Sequence, residues 1–244
     1  MNKKLTFKLS LLALAMVTTF TSCDTDNDEN MESYLPTALV TVKPVNNERF
    51  FLQLDDSTRL EPSNLTKSPF GDKTVRALVN YKIEEKKTGM QRVHINWMDS
   101  IRTKMTVPSL GDKNNTTYGY DPVEIVKDWV TVAEDGFLTL RVRTRWGYGT
   151  THYLNLLRGI NPQNPYELEL RHDAKGDLYG NMGDAFIAFN LRDVLANTET
   201  EKVKLTLRWR SFSGEKKVDF ELKSKPMDDL GNTTRSIVLS KNIE

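Results

Sequence analysis

Cysteine is almost missing from this chain. Cys23 is the one thiol in 244 residues, so no disulfide can close within the chain and no Cys/His zinc spacing exists. Histidine is nearly as scarce: His94, His152 and His172 are the three, on separate predicted strands, with no HExxH pair among them. A strong charge of one sign is also lacking. The formal net charge is +1, which argues against a nucleic-acid partner. There is no G-x-S-x-G elbow and no phosphate-binding glycine loop. Ser213 in "SFSGEKK" has glycine on one side only, as a hairpin turn explains. The acid pairs Asp55/Asp56 and Glu167/Glu169 carry no mark of a glycosidase cleft. The expectation is a non-enzymatic protein with no catalytic residue, no metal and no cofactor.

Apolar runs are short as well. The longest, Leu11 to Val17, falls well below the ~20 residues needed to span a bilayer. It follows Lys3, Lys4 and Lys8 and leads through Thr21 and Ser22 to Cys23, the layout of a secretory signal peptide over residues 1–22. A cleavage region that ends in cysteine resembles a bacterial lipobox. Phe20 and Ser22 depart from its usual Leu and Gly/Ala but keep the apolar and small character. That resemblance implies a lipid on Cys23, so the protein is anchored to a membrane rather than spanning it. The alternative, a free thiol in an exported tail, exposes a reactive group.

Asp24, Asp26, Asp28 and Glu29 follow at once. They are not a calcium loop, because Glu29 replaces the required glycine and Leu35 the twelfth-position glutamate. Low hydrophobicity and high charge make residues 23–33 an acidic flexible tether. Acidic residues directly after a lipidated cysteine also look like the surface-export signal of Bacteroidetes lipoproteins. The implied location is the outer membrane, lipid-anchored and surface-exposed, with its periplasmic face as the alternative.

Beyond the tether, β-branched and aromatic residues alternate between turn signals. Strands are predicted at 37–43, 49–55, 74–84, 91–102, 129–146, 151–157, 166–172, 184–190, 202–210, 216–223 and 236–240, the fifth folded into a hairpin at Asp135-Gly136. Only 191–197 reads as a short helix. The fold class is all-β. A stretch rich in Gly, Pro and Asn, 107–122, marks a boundary. Residues 34–107 then suit a small five-stranded OB-like barrel, and 108–244 an antiparallel β-sandwich.

The segments "LPTALVTVKP", "FFLQLDDSTRLEPSNL", "SPFGDKTVRALVNY", "INWMDSIRTK", "DPVEIVKDWVTVAEDGFLTLRVRT", "NPYELELRHD" and "VKLTLRWRSFSGEKKVDFELK" resemble the NigD-like lipoproteins of Bacteroidetes, in the family's order. The resemblance implies an N-terminal OB-like domain and a C-terminal β-sandwich. It also implies a link to bacteriocin immunity, though family membership does not fix the function of one member.

Two strands carry charge in a regular way. In "FLTLRVRTRW" and "KVKLTLRWR", apolar residues alternate with Arg141, Arg143 and Arg145, and with Lys204, Arg208 and Arg210. If both strands share a sheet, these six make a candidate anion-binding face. The competing reading is that Glu167 and Glu169 pair with them across strands, for about 0.2–1 kcal/mol each. Trp146 and Trp209 fall on the apolar side, as core residues. Asp56-Ser57-Thr58 and Asp99-Ser100-Ile101 resemble Bacteroidetes O-glycan attachment sites, at Ser57 and Ser100.

The functional expectation is binding or shielding at the cell surface, with an unknown protein or glycan as ligand. The alternatives are a carbohydrate-binding accessory lipoprotein, which would use Tyr118, Tyr120 and Tyr148, and a periplasmic structural component.

Overall fold

The structure, a computed structural model, describes residues 35–147 and 149–223. The signal peptide, Cys23, Asp24, Asp26, Asp28, Glu29, Tyr148 and the expected strand 236–240 lie outside the described residues. No helix among the described residues is long and apolar enough to cross a membrane.

Strands β1 (Ala38–Asn46), β2 (Arg49–Gln53), β3 (Arg59–Pro62), β4 (Val75–Lys87) and β5 (Met90–Ser100) close into a barrel in the order β1-β2-β3-β5-β4. Ala38, Val40 and Val42 of β1 and Ala77 and Val79 of β4 point inward, meeting Leu52, Leu60, Val93 and Ile95. Their every-second-residue spacing is the strand period, so one face of each strand fills the barrel. Two register shifts in the β4–β5 hairpin, at Asn80/Tyr81 and Ile83/Glu85, bend its long strands. β3 was not expected from the sequence, since four residues are too few to show a period.

The sandwich has one sheet ordered β6 (Thr103–Met105), β13 (Asn181–Asn190), β10 (Phe137–Trp146) and β8 (Glu124–Val126), with β9 (Val132–Glu134) also on β10. The second sheet is ordered β15 (Gly214–Lys223), β14 (Lys202–Ser211), β12 (Glu167–Asp173), β11 (Tyr153–Arg158) and β7 (Val107–Pro108). Leu138, Leu140, Val142 and Phe189 of the first sheet meet Leu156, Leu168, Leu205 and Leu207 of the second. Burying such side chains contributes about 1.5–3 kcal/mol each. Trp209 lies in this core, as expected, with 6% of its surface exposed.

β6 pairs with β13 in parallel, so a sandwich strand lies on the barrel side of the expected 107/108 boundary. The stretch 107–122 contains β7, a 3-10 turn at Gly111–Lys113 and α1 (Asn114–Tyr118). The expected helix near 191–197 forms as α2 (Arg192–Leu195).

The second face of β1 and β4 packs on the sandwich. Leu39 and Leu78 join Ile101, Val130, Val132 and Ala188 in a small apolar cluster. Arg76 lies beside them with 0% of its surface exposed. Its Nη1 donates to Thr41 Oγ1 at 2.8 Å and its Nε to Thr139 Oγ1 at 3.2 Å, while Nη2 donates to the Glu134 carboxylate. Lys43 Nζ reaches Asp135 Oδ1 at 2.7 Å, again from barrel to sandwich. A buried cation is tolerated only when paired and hydrogen-bonded, and Arg76 has all three partners.

Removing that cation leaves Glu134 and two threonines facing an empty site. Arg76→Ala is expected to destabilise the protein by about 3–5 kcal/mol, read as a lower urea midpoint. A loss below ~1 kcal/mol would show that the apolar cluster alone holds the interface.

Candidate functional site

Two regions of the sandwich gather reactive or adhesive side chains. The first is the solvent face of β10 and β13. Arg141, Arg143 and Arg145 stand outward there, as their alternation implied. Lys204, Arg208 and Arg210 also stand outward, on β14. However, β10 and β14 belong to different sheets whose inner faces meet in the core, so the two rows point to opposite sides of the sandwich. The expected joint basic face is therefore not formed: alternation within a strand cannot report which sheet the strand enters.

Carboxylates also neutralise much of each row. Arg141 donates to Asp184 Oδ2 and to Asp128 Oδ2, both at 2.8 Å, and Arg143 Nη2 donates to Asp184 Oδ2 at 2.9 Å. Arg208 reaches Glu167 at 3.2 Å, the cross-strand pairing that competed with the anion reading, and Lys204 reaches Asp219 at 2.8 Å. Arg145 donates to the Gly180 carbonyl at 3.1 Å and Arg210 to the Tyr120 carbonyl at 2.7 Å. The hydrogen bond from Arg143, reinforced by Arg141, holds Asp184 down to about 2.

Apolar groups sit between the outward arginines. Phe186 pairs in register with Arg141, and Met182 with Arg145. Both are exposed, and the Arg141 guanidinium lies 6.0 Å from the Phe186 ring centre. Trp129, beside Asp128 in the chain, has 55% of its surface exposed.

Of the tyrosines expected to line a glycan platform, Tyr118 and Tyr120 are engaged within the protein. The Tyr118 hydroxyl donates to Pro108 O at 3.1 Å. The Tyr120 ring already holds two guanidinium groups, Arg171 at 4.6 Å and Arg210 at 4.7 Å. Ser57 and Ser100 are both exposed, with Ser57 Oγ donating to Asp55 Oδ1 at 2.8 Å.

The second region is a cleft of about 200 Å³ between the two sheets, with His152 and His172 at one wall. Leu154 of β11 pairs with His172 of β12, which brings His152 alongside. Gly119 makes the other approach possible. At φ +77°, a Cβ there would lie 2.5 Å from His172 O, so only glycine lets residues 119–122 cross β12 this closely. Asp121 N then donates to His172 O at 2.9 Å, and His172 Nδ1 reaches Pro122 O at 3.1 Å.

A chain of contacts runs on from there. His172 Nε2 lies 2.9 Å from His152 Nδ1, and His152 Nε2 lies 3.3 Å from Asp177 Oδ2. Asp177 Oδ1 accepts the Gly147 N–H at 2.7 Å. Trp146 stacks on His152 with ring centres 4.4 Å apart. Gly183 packs so tightly on this indole that a Cβ would meet Trp146 Cδ1 at 2.4 Å. Trp146 thus belongs to the cleft wall rather than to the sandwich core.

Pro122 O can only accept, so His172 Nδ1 carries a proton. One proton lies between the rings, and a third is needed on His152 Nε2 to meet the Asp177 carboxylate. Two neutral imidazoles carry two N–H groups in total, so making all three contacts hydrogen bonds takes one proton more. Burial pushes the His172 imidazole below its ordinary value. All four ring nitrogens are engaged, so none is free to act as a base on a substrate. Among the described residues, no group of three or more His, Cys, Asp or Glu could hold a metal ion. The third histidine, His94, stands apart and exposed, 3.9 Å from Glu84.

The strand predictions placed both histidines but could not pair them, because their contact needs the β11–β12 register and the Gly119 crossing. Two outcomes are expected. Ring nitrogen-15 shifts should show a proton on His172 Nδ1, where only an acceptor, Pro122 O, faces it. An unprotonated His172 Nδ1 would refute that hydrogen bond. Asp184, held below its ordinary 3.8, contributes stability that is present above about pH 4 and lost as pH falls through about 2. Asp184→Asn should therefore unfold more easily than the wild type at pH 5, with the difference closing by pH 2.

Comparison with known proteins agrees with this architecture. Residues 39–101 match the NigD-like N-terminal OB domain, and residues 105–222 match the NigD-like C-terminal beta sandwich domain. No functionally curated protein matches the chain. Among solved structures, a protein from Parabacteroides distasonis described as toxin related is 32% identical, with TM-score 0.65, covering 77% of this chain and 92% of its own. A NigD-like immunity protein from Bacteroides caccae shares the fold at 18% identity and TM-score 0.55, covering 76% of this chain and 96% of its own. A protein from Bacteroides fragilis described as a lipoprotein does so at 16% identity and TM-score 0.52, covering 78% and 98%. With both domains matched in order over the OB barrel and the sandwich, this chain belongs to the NigD-like family.

Proposed function

We propose that this chain is a lipid-anchored, non-enzymatic envelope protein that binds a protein partner at the cell surface, in the manner of an immunity or shielding factor. The observation that carries the reading is the solvent face of β10 and β13. Phe186, Met182 and the nearby Trp129 are exposed among Arg141, Arg143 and Arg145. Protein interfaces are enriched in Trp, Phe, Met and Arg, and exposed apolar groups held on a rigid sheet are where partners dock. The immunity name of the Bacteroides caccae neighbour and the lipoprotein name of the Bacteroides fragilis neighbour support the same direction. Cys23 supplies the anchor in this reading, and Asp24, Asp26, Asp28 and Glu29 the signal that carries the protein to the outer surface of the outer membrane.

A second reading, a carbohydrate-binding accessory, has one observation in its favour. A trough of about 370 Å³ lies beside β2 and β3, where the Arg59 guanidinium stands 4.7 Å over the Phe51 ring. OB barrels bind oligosaccharides on that part of the sheet.

Protease shaving of intact cells separates the locations. The protein is expected to be lost from intact cells, and Cys23→Ala to leave the membrane fraction. Full protection until the outer membrane is broken would overturn surface display and favour a periplasmic structural role. For the face itself, Phe186→Glu should abolish protection against a rival strain's bacteriocin while leaving surface display unchanged.

A further inference from the structure

The inter-sheet cleft shares only Phe186 with the β10–β13 face, and its charged lining residues are both cations. Arg102, just before the edge strand β6, and Lys104 of β6 line it. No carboxylate lines it. Lys104 Nζ is held only by neutral acceptors, Leu154 O at 2.7 Å and Asn155 Oδ1 at 2.8 Å, which leaves one N–H uncommitted. Arg102 is exposed, and its guanidinium has no hydrogen-bond or ion-pair partner among the described residues. Elsewhere on the sandwich, outward cations such as Arg141, Arg143, Lys204 and Arg208 have a carboxylate partner. Arg145 and Arg210 rest on backbone carbonyls instead, so what sets Arg102 and Lys104 apart is their place on a cleft lined by no carboxylate.

Behind them the lining is mixed, with Thr144, Thr151, His152 and His172 beside the apolar groups. Val123, Val142, Ala185 and Ile187 form its floor and Trp146 one wall. His152 and His172 also line the cleft, and His152 Nε2 lies 3.3 Å from the Asp177 carboxylate. Burial, and then the neighbouring Arg102, push the Lys104 ammonium below its ordinary value. An anion seated there would reverse that effect.

We propose that this cleft binds a small organic carboxylate, its compact apolar body against Val142, Ile187 and Trp146 and its carboxylate between Lys104 and Arg102. The size sets the class. A cavity of roughly 150 Å³ holds one benzene ring, so about 200 Å³ admits a single ring or a short acyl chain with its headgroup. Pockets for drug-sized ligands start near ~300 Å³, and a sugar chain is larger than this cleft can take. This proposal does not rest on the surface-binding reading, and it is tested on purified protein rather than on cells.

The test uses three probes, benzoate, phenylacetate and hexanoate, each beside its neutral amide. Binding is followed by tryptophan fluorescence and by chemical-shift changes at the Trp146 indole N–H. At least one acid is expected to bind saturably and at least tenfold more tightly than its amide. Arg102→Gln, at an exposed position that does not disturb folding, should weaken that acid at least threefold, and Lys104→Met at least tenfold. Ala185→Leu, which fills the floor without touching charge, should abolish binding of acid and amide alike. If no acid is preferred over its amide, or if the preference survives both charge substitutions, the site is not an anion-binding cleft.

Discussion

One buried cation sets how the two halves of this protein meet. Arg76 stands on the barrel strand β4 but spends its guanidinium on Thr139 and Glu134 of the sandwich as well as on Thr41 of its own barrel. Parting the barrel from the sandwich would break the Arg76 bonds to Thr139 and Glu134. Keeping them together with any partner removed would leave a buried charge unpaired, at a cost of several kcal/mol. The apolar cluster of Leu39, Leu78, Ile101, Val130 and Ala188 supplies the nonspecific attraction, and Arg76 supplies the register. Lys43 and Asp135 repeat the device at the rim.

That junction decides what the rest of the sandwich can show to solvent. The barrel covers one end of the outer face of β10 and β13, at Thr139 and Ala188, which are fully buried. What remains open further along is the row of Arg141, Phe186, Arg143 and Met182. The face proposed for a partner is thus the part of a sheet that the barrel does not cover. The cleft between the sheets follows from a different constraint. Trp146 and the His152–His172 pair stand where a core apolar pair would otherwise close the sandwich, and Gly119 and Gly183 allow the backbone to come close enough to hold them there.

Much of the fold was legible because period-2 alternation is a local property. The β10 run from Leu138 to Trp146 and the β14 run from Val203 to Trp209 each showed their buried and solvated sides without any neighbour. Their sheet membership was not legible, because β10 pairs with β13 and β14 with β12 across long intervening segments. The same limit hid Arg76: in "TVRALVNY" an arginine beside Ala77 reads as solvent-facing, yet the sandwich buries that face. Short pieces such as β3, β6 and β8 had too few residues to display a period. The histidines failed for a related reason, since a contact between residues 152 and 172 exists only once β11 and β12 are in register.

The claim that barrel and sandwich are one body held by Arg76 is tested most directly by site-resolved unfolding of the unmodified protein. Hydrogen exchange in urea would be followed at Val40 and Val79 in the barrel and at Leu140 and Leu207 in the sandwich. A single transition shared by all four amides is the expected result. A barrel that opens at lower urea while the sandwich amides stay protected would contradict the account.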